Sequence, residues 1–247
     1  GSVLAQVLAP RIGRLTLVGS GIGNQSQFRL QYTRKQCISE IVKELSKLRE
    51  SGTDNLNHLG MLAGNISAFL KQDASQLHTD LVSAIDDKEH IINKIVELLP
   101  ENVIAEHIIL QTDFSCLKAA DIVIAATNSA DESLLKPEHV KHDAIVCGTS
   151  VPTNLSTAFK AHKGILAFDG GFARLPEDSE INFVGMPNDG MAYGCLAETL
   201  VLGFDGQNNS FSKGALLPQQ VFNIMDAAQL HGFDLGSLKL DDEQILV

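Results

Sequence analysis

The chain has 247 residues, 44% apolar and 20% charged, the balance of a globular protein able to bury a core without disulfides. Its formal net charge is −11 with Lys and Arg scattered, which argues against a nucleic-acid surface, where clustered cations must face phosphates. No apolar run reaches the length of a bilayer span, and the amino terminus lacks the charged and apolar regions of a signal peptide.

Four cysteines, Cys37, Cys116, Cys147 and Cys195, lie far apart and form no CxxC pair. They read as thiols of a reducing compartment, which predicts a cytoplasmic protein.

"GSVLAQVLAPRIGRLTLVGS" opens the chain. It has the grammar of the later part of a dinucleotide turn: Gly1 in the place of the last glycine of GxGxxG, a helix over Ser2–Ala9, and a strand over Leu15–Val18. Glycines there let the backbone approach a pyrophosphate, and the helix amino terminus stabilises its charge. On this reading the first strand and most of the turn lie outside the sequence. Gly1–Ser2 would equally suit two foreign residues before an unrelated helix.

After Val18 no acid stands where one would bind the ribose of NAD. Ser20, Asn24 and Ser26, with Arg29 and Arg34 downstream, lean towards the 2′-phosphate of NADP. The lone GxG of "GSGIG" reads as a flexible turn.

"RKQCISEIVKELSKLRES" places Ile38, Ile41, Val42, Leu45 and Leu48 on one helical stripe. "DASQLHTDLVSAI" and "DKEHIINKIVELLP" continue in helical register, and residues 52–100 read as a helical insertion between two strands.

"HIILQT", "DIVIAATNS", "DAIVCGTS" and "GILAFDGG" are apolar runs ending in small or polar residues. Such strands, covered on both faces and alternating with helices, predict an α/β fold with a doubly wound parallel sheet, Rossmann-like and lacking its first strand. The whole chain is read as one such domain. The strand ends carry Thr127, Asn128 and Ser129, then Thr149 and Ser150, then Asp169, Gly170 and Gly171. Turns favour the same residue types, but ligands of doubly wound sheets bind at these ends. With Gly1, Ser2, Ser20 and Arg29 they make a candidate cofactor site.

"MAYGCLAETLVLGF" predicts an apolar helix over Met191–Phe204, with Asn188, Asp189 and Gly190 as caps. "LPQQVFNIMDAAQLHGFD" predicts a second, amphipathic helix. Cys195 then falls in a first helical turn, where amide donors and the dipole stabilise a thiolate. Ala192 and Gly194 leave room for an incoming group. A small core residue is the plainer alternative; it is the reading given to Cys37, Cys116 and Cys147. The histidines form no HxH or HExxH pattern, so no metal site is expected. His231 reads as a helix cap. Glu198, one turn beyond Cys195, would orient a donor or simply be solvated.

Residues Gly164–Gly236, with "DGG" after a strand, "GCLAE", "TLVLGFDG" and "HGFDLG", resemble the carboxyl-terminal part of reductases acting on long-chain acyl thioesters of acyl-carrier protein. "LKAADIVIAATNS", "LLKPEHV" and "VPTNLS" match the Rossmann core of that family more loosely. The likeness spans most of the chain apart from residues 21–102. It implies NADP(H) as cofactor, an acyl thioester substrate carried by acyl-carrier protein, and Cys195 as the residue that takes the acyl group before reduction to aldehyde. A homo-oligomer is compatible with it. Two alternatives stand beside it. One is a Rossmann-like binding or interaction domain without turnover. The other is an NADP oxidoreductase related to shikimate dehydrogenases, whose Lys/Asp pair is not legible in the sequence.

Overall fold

The structure, a computed structural model, describes residues 1–19, 23–52, 56–72, 75–83, 87–127, 129–131, 133–177, 190–240 and 243–245. The chain divides into two compact units, Ser2–Cys116 and Leu117–Val247, the second also including Gly1.

The amino-terminal unit runs α1 (Ser2–Leu8), β1 (Leu15–Val18), α2 (Gly23–Glu50), α3 (Met61–Gln72), α4 (Ser75–Ser83), α5 (Lys88–Leu98), α6 (Glu101–Ile104) and β2 (Ile108–Gln111). β1 and β2 pair in parallel, Leu15 opposite Ile108. Ile38, Ile41, Val42 and Leu45 recur at helical spacing on α2 and are all buried. Against them pack Leu62, Ile66 and Leu70 of α3 and Ile92 and Ile95 of α5. Residues read as an insertion are therefore the body of a helical core. Glu50 of α2 pairs with Lys88 of α5 at 2.7 Å, and that hydrogen bond holds its carboxyl below the usual carboxylate range.

The carboxyl-terminal unit is built on three parallel strands, β3 (Ile122–Ala125), β4 (Ile145–Gly148) and β5 (Leu166–Asp169). A small antiparallel sheet follows, of β6 (Phe172–Arg174), β7 (Met191–Tyr193) and β8 (Asp234–Leu235). Helix α7 (Gly194–Phe204) packs on α8 (Pro218–Leu230) over Ala197, Val201, Ile224 and Ala227. The short strands β9 (Lys239–Leu240) and β10 (Glu243–Gln244) extend the first sheet beyond β5, in the order β10-β9-β5-β4-β3.

An α/β fold with parallel strands is thus present, and each of the five apolar runs forms a strand. Two features depart from the expected architecture. The five strands divide between the units, β1 and β2 forming a separate pair. In addition, the helices among the described residues between β3 and β4, and between β4 and β5, are only 3₁₀ turns, Pro137–His139 and Thr157–Ala161. Ser, Thr and Asp there bond backbone amides locally, Asp131 capping the amide of Ser133 and Ser156 that of Ala158. Such bonds compete with a continuous helix.

No described helix is long and apolar enough to cross a membrane. Ile66 is fully buried among α2 and α3 side chains, so Ile66→Ala should destabilise the protein by about 2–5 kcal/mol, read as a lower denaturant midpoint. A loss of only a few tenths would mean that this helical core is not formed.

Candidate active site

Register brings the candidate residues together. Ala125 lies opposite Gly148, and Gly148 opposite Asp169, so β3, β4 and β5 end level with one another. The amide of Thr149 donates to Ala125 O at 2.9 Å, and that of Gly170 to Gly148 O at 2.5 Å. The amide of Gly194 then donates to Gly171 O at 2.5 Å. One run of backbone bonds thereby ties three strand ends to the start of α7.

The hydroxyls divide into two kinds. Thr149 Oγ1 donates to Ala125 O at 3.1 Å and Ser150 Oγ to Thr127 O at 2.5 Å, so both spend their protons on backbone. Thr127 Oγ1 instead accepts from the Ser129 amide, and Ser129 Oγ from the Asp131 amide, each at 3.2 Å. Each of these hydroxyls keeps a proton to donate.

The glycines make room. A Cβ on Gly170 would stand 2.6 Å from Cys147 Sγ. Gly171, at φ +87°, would place a Cβ in open space, so the backbone is exposed to an incoming group. Gly1 approaches Ala126, where a Cβ would lie 3.3 Å from the alanine's Cβ and O.

Cys195 is exposed at the second position of α7. The helix begins three residues later than expected, because Met191–Tyr193 pair with β6 as strand. The cap is therefore Tyr193, which supplies no side-chain bond; Gly190 lies before the strand, and Asn188 and Asp189 are outside the described residues. The Gly194 amide goes to Gly171 O, and the amides of the first helical turn beyond it take no bond from a capping side chain. Thr199 Oγ1 returns a bond to Cys195 O at 2.9 Å. Glu198 is half-buried one turn along.

The other cysteines differ. Cys37 is fully buried in α2, and burial pushes its thiol up to about 12. Burial also raises Cys147, with Asp169 adding to the effect, and raises Cys116 beside Asp113.

Ser2 and Arg29 belong to the amino-terminal unit. Ser2 Oγ lies 3.2 Å from Thr33 Oγ1, and Arg29 is exposed on α2. Arg34 is committed to Glu101 at 2.5 Å. Ser20 and Asn128 lie outside the described residues. His231 caps α8 and bonds Asp205 Oδ1 at 2.7 Å, the role expected of it. No group of three metal-ligating side chains occurs among the described residues.

Two residues of this region escape sequence reasoning. Lys239 is buried in β9 directly opposite Asp169, its Nζ 5.9 Å from the Phe172 ring. Directly opposed residues of an antiparallel pair share a face, but they lie seventy positions apart, and no local pattern marks the lysine as inward. Asn154 is also buried, beneath the loop after β3. It stands in the polar-flanked run Thr153–Ser156, and nothing in that local pattern marks it as buried. No protein-family model matches the chain.

Two measurements test the site. Gly170→Ala should destabilise by about 1–3 kcal/mol through overpacking, and adding Cys147→Ala should recover most of it by removing the obstructing sulfur; no recovery would show that the strand end is looser than described. In alkylation with iodoacetamide at neutral pH, Cys195 should react first and Cys37 last. Rates at Cys116 and Cys147 should keep climbing above pH ~9, because their raised thiols yield thiolate late. Early loss of Cys37 would contradict its burial.

Proposed function

We propose that the chain is a reductase of acyl thioesters that works through an acyl-cysteine at Cys195, with NADP(H) as cofactor. The observation that carries this reading is the exposed Cys195 in the first turn of α7, held by Gly194 to the same edge where β3, β4 and β5 end. The resemblance of Gly164–Gly236 to acyl-carrier-protein-dependent reductases supports it. Cys195 is the exposed one of the four cysteines.

The residues fit a dinucleotide. Thr127 and Ser129 have hydroxyl protons to give, and Gly171 presents backbone with open space around it. These residues would hold the cofactor, which when bound supplies a hydride to the acyl carbon. The rest is the work of the protein. Cys195 Sγ, as thiolate, attacks the thioester carbonyl; a new C–S bond forms, and the carrier leaves with its sulfur and the electron pair of the broken bond. The acyl group then stays on Cys195 as a thioester, no more stable than the one consumed. On reduction Sγ departs as thiolate, releasing an aldehyde and restoring the nucleophile. Amides at the start of α7 favour that anion at both moments.

A second reading has its own observation: Lys239 and Asp169 face one another beside the strand ends. That is the pair of residue types a shikimate-dehydrogenase-like oxidoreductase would use. Acyl transfer separates the two readings, since only the first needs the thiol.

Incubation with NADPH and an acyl thioester should yield aldehyde, and Cys195→Ala should abolish it while leaving NADPH binding intact. Cys195→Ser should also fail at acylation, because a hydroxyl ionises far less readily than a thiol. Aldehyde formation by the alanine variant would overturn the mechanism. Titration should show tighter binding of NADPH than NADH; the reverse would remove the NADP assignment.

A further inference from the structure

We propose that Asn154 is a positioning residue for nucleotide binding, acting through the loop that follows β3; the inference rests on the cofactor reading above. The side chain is 1% exposed. Its Nδ2 donates to Ser129 O at 3.0 Å and to Asp131 O at 2.9 Å. Both protons of the amide are thereby used on two carbonyls of one loop.

That loop is the one whose hydroxyls keep protons to donate. Ser129 accepts from Asp131, and Thr127 from Ser129. Fixing the carbonyls of Ser129 and Asp131 fixes the turn between them, and so the direction in which Ser129 offers its proton, and its amide to Thr127 Oγ1. Asn154 is itself anchored on the other side. Leu135 donates its amide to Asn154 O at 3.0 Å, and the Ser156 amide donates to Leu135 O at 2.8 Å. The amide group is thus mounted on a backbone pairing and reaches across to the loop.

The remaining atom shows that packing alone does not explain the residue. Asn154 Oδ1 is buried and has no hydrogen-bond partner. A buried acceptor without a donor lowers stability, and an apolar side chain of similar volume would remove that loss. Leucine would fill the space but could not hold the two carbonyls. The chain carries a destabilising oxygen for the sake of two donated bonds, the pattern expected where site geometry outweighs stability.

The test splits the two half-reactions. Asn154→Asp keeps the shape and loses both donors, Asn154→Leu removes the polar group, and Asn154→Ser keeps a single donor. NADPH affinity is measured by calorimetry, and acylation of Cys195 by palmitoyl-coenzyme A, without NADPH, by mass spectrometry. We expect the Asp and Leu variants to bind NADPH about 10-fold or more weakly, the Ser variant to lie between them and the parent, and the acylation rate to be unchanged. Undiminished NADPH binding by the Leu variant overturns the inference while leaving the cofactor reading intact. Parallel loss of acylation, or unfolding of all three variants, also overturns it, because Asn154 would then serve the fold as a whole. Failure of the parent protein to bind NADPH removes the cofactor reading, and the inference with it.

Discussion

Level strand ends are the constraint on which the carboxyl-terminal unit depends. Parallel pairing sets Ala125, Gly148 and Asp169 abreast, and the next residue of each strand continues the ladder by one bond. Thr149 reaches Ala125 O and Gly170 reaches Gly148 O. Were β4 to slip by a single residue, its side chains would exchange faces. Cys147 would then leave its place beneath Gly170, and Val146, fully buried, would point outward. The apolar alternation of three short strands thus determines where the polar loops stand.

The same constraint explains which glycines matter. Gly170 has Cys147 Sγ beneath it, and Gly194 has Gly171 O, which a Cβ would approach to 3.2 Å. Both are places where backbone must meet backbone or sulfur closely, so any side chain would separate α7 from the strand ends. Gly171 is different. Its space is open, and what it needs glycine for is φ +87°. That left-handed residue turns the chain from β5 into β6, and its carbonyl then accepts the first amide of α7. Conformational freedom at one position and close approach at two others together set the position of Cys195.

Much of this was legible in the sequence, for a physical reason. Short Val- and Ile-rich runs have few ways to be buried, so β1 to β5 fall within the segments read as strands. The stripe on α2 shows equally well. Legibility ended where structure depends on partners distant in sequence. Met191–Tyr193 continue the apolar pattern of α7, and only pairing with Phe172–Arg174 makes them strand. Residues 52–100 could be recognised as helical but not as the core of their own unit, because burial of Ile66 or Ile95 is decided by α2. Hydroxyl-rich strand ends were recognisable as a group. Which hydroxyls had protons left was not, since that turns on bonds such as Ser150 to Thr127 O.

Reactive cysteines need two properties that ordinarily oppose one another: a fixed position and exposure to reagents. Burial supplies the first at Cys37 and destroys the second, raising the thiol until little thiolate forms near neutral pH. Cys147 suffers the same desolvation in milder form, and the charge of Asp169 adds to it. Cys195 is exposed, and its position is fixed by its neighbours rather than by its own side chain. Gly194 bonds to Gly171, Ala197 and Val201 are buried against α8 and the small sheet, and Tyr193 rests its ring 5.0 Å from that of Phe172. Backbone on both sides of the cysteine is held by core contacts, while Sγ itself faces solvent. An exposed thiol on a helix whose flanking residues are packed is the arrangement on which the proposed acyl transfer relies.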